Sequence, residues 1–291
     1  MIMIQYNPKG WFRQVYRFHK SDTFIILWKE LVIIGLLTWG ISCLEIKYFS
    51  ESEVLDNLGV IYSLIGFVLS LLLVFRTNTA YDRWWEGRKK WGSLVNDSRN
   101  LALKINSMIG PKADLEFFGR MIPNYAFAMK EHLRDGVVIE ELKLTEEERN
   151  EISKIEHKPS YVAMKMYERL DDLKKRKEIT QEEFLSIDKN LLSFSDIIGA
   201  CERIKKTPIP FSYSMFLKKF IFIYVVTLPI AFITSLGYYT IPIAMFVFYV
   251  LVSIEILAEE IEDPFGRDAN DLDTDGISIT IRSNVQEILN K

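Results

Sequence analysis

GVIYSLIGFVLSLLLVF, from Gly59 to Phe75, is seventeen residues without a charge, and RTNTAYDRWWEGRKKWG follows it without a break from Arg76 to Gly92. The apolar half suits a bilayer, whereas Arg76, Asp82, Arg83, Glu86, Arg88, Lys89 and Lys90 are stable only in water, among headgroups or in paired protein. This junction marks a membrane protein and the place where a helix leaves the hydrocarbon.

The bulk composition conceals that division. With 49% hydrophobic and 26% charged residues the chain averages to an ordinary soluble protein, but the apolar blocks sit toward the two ends and the charge sits in the middle. A net charge of -3, from 36 basic and 39 acidic residues, gives no reason to expect nucleic acid as a partner. Cys43 and Cys201 stand far apart with no CxxC neighbour, which supports neither a disulfide framework nor a cysteine zinc site. MIMIQYNPKGWFRQ has neither the apolar core nor the cleavage site of a secretory signal, so retention of the N-terminus is expected.

Four segments are expected to span: Leu31 to Leu44, Gly59 to Phe75, Phe220 to Leu236 with a kink at Pro229, and Ile241 to Ile254. The last two are joined by Gly237, Tyr238, Tyr239 and Thr240 alone, which makes them a helical hairpin. Lys and Arg crowd one side of these spans, at Lys9, Arg13, Arg17, Lys20, Lys29, Arg76, Arg83, Arg88, Lys89, Lys90, Lys218 and Lys219, while the opposite side holds Lys47. By the positive-inside rule both termini are cytoplasmic. The chain then divides into an N-terminal segment with two spans (1–76), a cytoplasmic helical region (77–217), a second pair of spans (218–257) and an acidic segment with a C-terminal helix (258–291).

The cytoplasmic region reads as helical. Trp91, Leu94, Val95, Leu101, Ile105 and Ile109 recur at helical spacing, and Phe117, Phe118, Met121, Ile122, Tyr125 and Met129 do so again, interrupted by Pro123. From Glu140 to Lys189 the charge run reads as solvated helix faces, and in TPIPFSYS Pro208 and Pro210 turn the chain back toward the bilayer. Enzyme motifs such as GxGxxG, GxxxxGK[ST], GxSxG and HExxH are absent, and His19, His132 and His157 are too dispersed in sequence to suggest a metal set. An enzyme is therefore not expected. The density of carboxylates in EEIEDPFGRDANDLDTD leaves two readings, oxygen ligands for Ca²⁺ at spacings unlike an EF-hand, or an acidic turn punctuated by Asp263, Pro264 and Gly266.

FRTNTAYDRWWEGRKKWG after an apolar helix, CERIKKTPIPFSYS before the third span and EEIEDPFGRDANDL after the fourth together resemble the bestrophin family, in its compact bacterial form. The resemblance brackets nearly the whole chain. It implies an all-α protein, four transmembrane helices plus a helical cytoplasmic domain, assembled as a homopentameric barrel around one axial pore in the inner membrane. It further implies a passive channel for small monovalent ions, chloride by family habit, with a monovalent-cation channel as the alternative; a transporter or a membrane-anchored scaffold is the remaining rival. The partners it implies are the lipid bilayer, further copies of the chain and the permeating ions.

Carried over by position, the family's pore neck falls on Phe67, Leu71 and Phe75, and its cytoplasmic aperture on Glu182, or one turn on at Leu185. Periodicity alone would read the first three as lipid-facing or helix-packing surface, and Glu182 as an exposed charge. The calcium clasp of animal members maps to Glu260, Asp263, Asp268 and Asp271, with Arg267 and Asn270 where more acid would be expected. No other cofactor is implied.

Overall fold

A computed structural model describes residues 23–48, 58–134 and 136–289, and the regular structure among them is helical throughout. Two compact units share these residues. One contains the described residues between 23 and 82 together with 208–262, the other those between 83 and 207 together with 263–289.

The first unit holds the apolar helices. Helix α1 (Thr23–Tyr48), the first half of α2 (Leu58–Met108), α7 (Phe211–Leu236) and α8 (Thr240–Glu262) lie in segments long and apolar enough to cross a membrane. Leu27, Leu31 and Ile34 of α1 pack with Leu69 and Leu73 of α2, with Leu217, Ile221, Val225 and Leu228 of α7, and with Ala244 and Phe248 of α8. These residues recur every three or four positions, so each helix buries one stripe. The opposite faces keep large apolar side chains uncovered, among them Trp28, Val32, Leu36 and Trp39 of α1. Such a surface is stable only where hydrocarbon or another protein surface replaces water.

The hairpin expected between the last two apolar segments is present. Helix α7 ends at Gly237, whose φ of +54° and ψ of −143° suit a residue without a side chain, and one 3₁₀ turn (Gly237–Tyr239) leads into α8, which packs back on α7. Helix α7 passes through Pro229 without a break in helical assignment and begins at Phe211, nine residues before the expected Phe220. Gly66 allows α2 to approach α7, since a Cβ there would sit 2.6 Å from the Tyr224 hydroxyl.

The second unit carries one continuous core. Trp91, Leu94, Leu101 and Ile105 from the far half of α2 meet Phe118, Met121 and Met129 of α3 (Lys112–His132), Val162, Met166 and Leu170 of α5 (Lys158–Lys175), and Ile187, Leu191, Phe194 and Cys201 of α6 (Gln181–Lys206). The short α4 (Glu146–Ile152) and α9 (Thr274–Leu289) close this core through Ile152, Ile281 and Val285. Both α4 and α6 open on complete capping boxes, Thr145 with Glu148 and Thr180 with Glu183, which satisfy amides that would otherwise lack partners.

Pro123 does not interrupt its helix, contrary to expectation: α3 runs from Lys112 to His132 with the proline inside it. The turn is held by its neighbour. Asn124 donates to the Lys143 carbonyl and accepts from the Lys143 amide, both at 2.9 Å, so a side-chain clasp fixes the segment at Lys143 against this turn of α3. Helix α6 stops at Lys206, two residues before Pro208, and Pro210 is the N-cap of α7.

Candidate functional site

Helix α2 presents two faces in the apolar unit. Leu69, Leu73, Arg76 and Ala80, spaced by four, three and four residues, are all buried. Half a turn away the other face exposes Phe67 (62%), Leu71 (42%) and Phe75 (62%), which align over two turns. These three are the positions singled out in the sequence as a pore neck. They form an uncovered apolar stripe, beside which the exposed Ser70 hydroxyl donates to the Gly66 carbonyl of its own helix at 2.8 Å.

The buried face ends on a charge. Arg76 is 2% exposed, and its Nη2 lies 2.6 Å from Oε2 of Glu262 at the end of α8. The other oxygen of Glu262 accepts the Ile209 amide just before α7, so one ion pair ties α2, the start of α7 and the end of α8. Neither Nε nor Nη1 of Arg76 has a hydrogen-bond partner among the described residues. Sequence inspection places Arg76 at the membrane exit but gives no sign that Glu262 is its partner.

The proposed aperture lies on α6 in the second unit. Glu182 occupies the first turn and is exposed, and Leu185 is exposed on the same helix. Further along, α6 is fixed to α2 by polar contacts: Asp97 accepts from Asn190 and Ser193, and Lys104 reaches Asn190 and the Ser186 carbonyl.

The acidic turn is held by its own hydrogen bonds. The Leu272 amide returns to the Pro264 carbonyl at 2.9 Å, Trp84 donates to the Asn270 carbonyl, and Asp271 accepts the Asp268 amide. Asp263 and Asp268 are exposed, Glu260 is half-buried on α8, and Arg267 turns its guanidinium to Glu131 at 3.1 Å. Ca²⁺ takes six to eight oxygens. A turn whose carboxylate caps its own backbone, with a guanidinium beside it, does not fit that requirement.

Asp275, at the end of the same acidic stretch, instead anchors α9. Buried Lys130 and Arg134 reach it at 2.7 and 2.9 Å, while Lys130 also pairs with Glu141 at 2.7 Å. Burial opposes ionisation of Asp275, but hydrogen bonds from Arg134 and Lys130 outweigh it and hold the carboxyl at about 2.

The histidines require a correction. Dispersed in sequence, His132 and His157 converge in the second unit on Glu202: Nε2 of each ring lies 2.7 and 3.0 Å from the same Oε1, with ring centroids 4.5 Å apart. Burial raises the Glu202 carboxyl, and hydrogen bonds from the two imidazoles override it, so its pKa falls below the usual range. No fixed spacing announces this cluster, because its members come from three helix ends. His19 lies outside the described residues.

Residues 2–287 match the family described as Bacterial/Fungal Bestrophin protein. The voltage-dependent anion channel-forming protein of Nostoc sp. is 38% identical over 229 residues, covering 76% of this chain and 74% of the relative. The protein of the same description from Escherichia coli K12, YneE, is 28% identical over 284 residues, 94% of this chain and 90% of the relative. Among solved structures, a bacterial bestrophin homologue from Klebsiella pneumoniae superposes with a TM-score of 0.82 at 25% identity, covering 90% of this chain and 97% of the other.

Proposed function

This chain belongs to the bestrophin family, and from that premise we infer that it forms a passive channel for small monovalent anions, chloride by family habit. The working unit is a homopentamer whose copies surround one axial pore, in the inner membrane with both termini cytoplasmic. Four spans per chain, two in the hairpin α7–α8 and one each from α1 and the apolar half of α2, carry the pore across the bilayer.

The observation that carries this reading is the exposed stripe Phe67, Leu71 and Phe75 on the face of α2 turned away from its unit's buried core. In a fivefold ring each position becomes a collar of five apolar side chains. A collar of that kind holds no ion and sheds water when narrow, so it gates by dewetting rather than by charge. Relatives described as voltage-dependent anion channel-forming proteins support the anionic assignment.

A second reading, a monovalent-cation channel, is favoured by one observation. Glu182 is exposed in the first turn of α6, and five such carboxylates around an exit would gather cations and repel anions. A transporter or a scaffold draws no comparable support from the described residues.

The test is flux through purified protein in planar bilayers under asymmetric NaCl. Replacing Phe67, Leu71 and Phe75 together with Ala widens the collars and is expected to raise unitary conductance. Currents identical to the parent's would remove the stripe from the pore.

A further inference from the structure

The cluster at His132, His157 and Glu202 plays no part in the channel reading, and its geometry is specific. His132 is the last residue of α3, His157 is the N-cap of α5, and Glu202 lies in the penultimate turn of α6. Three helix ends thus deliver two imidazole nitrogens and one carboxylate oxygen to a single point. Their ligating atoms all fall within 4.8 Å of one another.

The scaffold below the cluster is firm. Two turns before His132, the Tyr125 hydroxyl donates to the Phe194 carbonyl at 2.7 Å and the two rings stack at 4.7 Å, which locks α3 to α6. His157 is oriented by its own helix: its Nδ1 accepts the Ser160 amide at 3.2 Å, so Nε2 points at Glu202. The side chains remain 24%, 36% and 22% exposed, which leaves a path for an ion from water.

We propose that His132, His157 and Glu202 form a binding site for a divalent transition-metal ion of the zinc class, with water completing its coordination. Two imidazoles and one carboxylate are a borderline donor set that suits Zn²⁺ and its neighbours, whereas Ca²⁺ and Mg²⁺ prefer oxygen throughout. Ligands about 2.0–2.1 Å from a tetrahedral ion stand roughly 3.3 Å apart. The two Nε2–Oε1 separations of 2.7 and 3.0 Å therefore open by about half an ångström to admit one, with the two imidazole nitrogens already within 4.8 Å of each other.

Two features keep the affinity moderate. Coordination through Nε2 of His157 moves that ring's proton to Nδ1, which releases the Ser160 amide to solvent and loosens the cap of α5. Lys206 acts electrostatically on Glu202, and Lys205 donates to the Leu133 carbonyl next to His132, so cationic charge stands near the site. A micromolar dissociation constant is expected, and the bound ion would staple α3, α5 and α6 together.

Equilibrium dialysis of the full-length protein in detergent against Zn²⁺ tests this directly. One ion per chain is expected, with His132→Asn and Glu202→Gln each weakening uptake at least about tenfold at an unchanged elution volume. Co²⁺ provides a reading that needs no variant, because bound in such a site it gives visible d–d absorption that Zn²⁺ displaces. Absence of saturable uptake, absence of those bands, or uptake unchanged in both variants overturns the proposal. None of these results bears on ion conduction, so this site and the channel reading stand or fall separately.

Discussion

Replacing Arg76 by Met should destabilise the apolar unit, because it leaves the Glu262 carboxylate charged at the end of α8 with its guanidinium gone. The pair is close, 2.6 Å, and nearly dry, with side chains 1% and 11% exposed. Removing one partner of such a pair costs about 3–5 kcal/mol, and the lower figure applies because Glu262 keeps the Ile209 amide and some contact with water. At roughly 2 °C per kcal/mol for a chain of this size, the melting midpoint in detergent should fall by about 6 °C. Replacing both residues, Arg76→Met with Glu262→Met, removes both buried charges and leaves the Ile209 amide without its carboxylate, a loss of about 1 kcal/mol. The double variant should therefore melt about 4 °C above Arg76→Met alone, recovering roughly 2 kcal/mol. The measurement is a melting curve of purified protein followed by size-exclusion or intrinsic fluorescence. A double variant that melts no higher than Arg76→Met, or a fall of less than about 1 °C for Arg76→Met, would refute the claim that this ion pair ties the three helices.

Two further outcomes follow from the charged groups of the second unit. Asp275 has a folded pKa of about 2 against an ordinary 3.8, so the unfolded chain binds its proton more readily. The stability it contributes is complete above about pH 4 and is lost as pH falls toward 2; Asp275→Asn should flatten the melting profile across that window, and a parent-like slope would disprove it. For Glu182→Ala, the reversal potential in asymmetric salt should move toward anions if the carboxylate faces the exit, and an unmoved value removes Glu182 from the permeation path.

The sequence made the architecture legible for reasons that are local. Uninterrupted apolar runs, the tight hairpin at Gly237 and the helical spacing of Trp91, Leu94, Leu101 and Ile105 each declare themselves within a few turns. Three motifs carried the family resemblance, and the family match confirms it. Pro123 misled because a proline removes one internal hydrogen bond, and a helix buried along that turn, as α3 is from Met121 to Glu131, continues through it.

By itself, then, the chain determined that it is helical, that it enters a membrane, and that charge begins at Arg76. Tertiary structure decided the partners of that charge. Glu262 meets Arg76 across 186 positions, and His132, His157 and Glu202 meet across spacings of 25 and 45, because packing brings helix ends together irrespective of distance along the chain. Periodicity fixes which side of a helix is buried. Which charged groups face one another at the ends of helices is set by the fold, and for the nearly dry Arg76 burial makes the pairing with Glu262 energetically necessary.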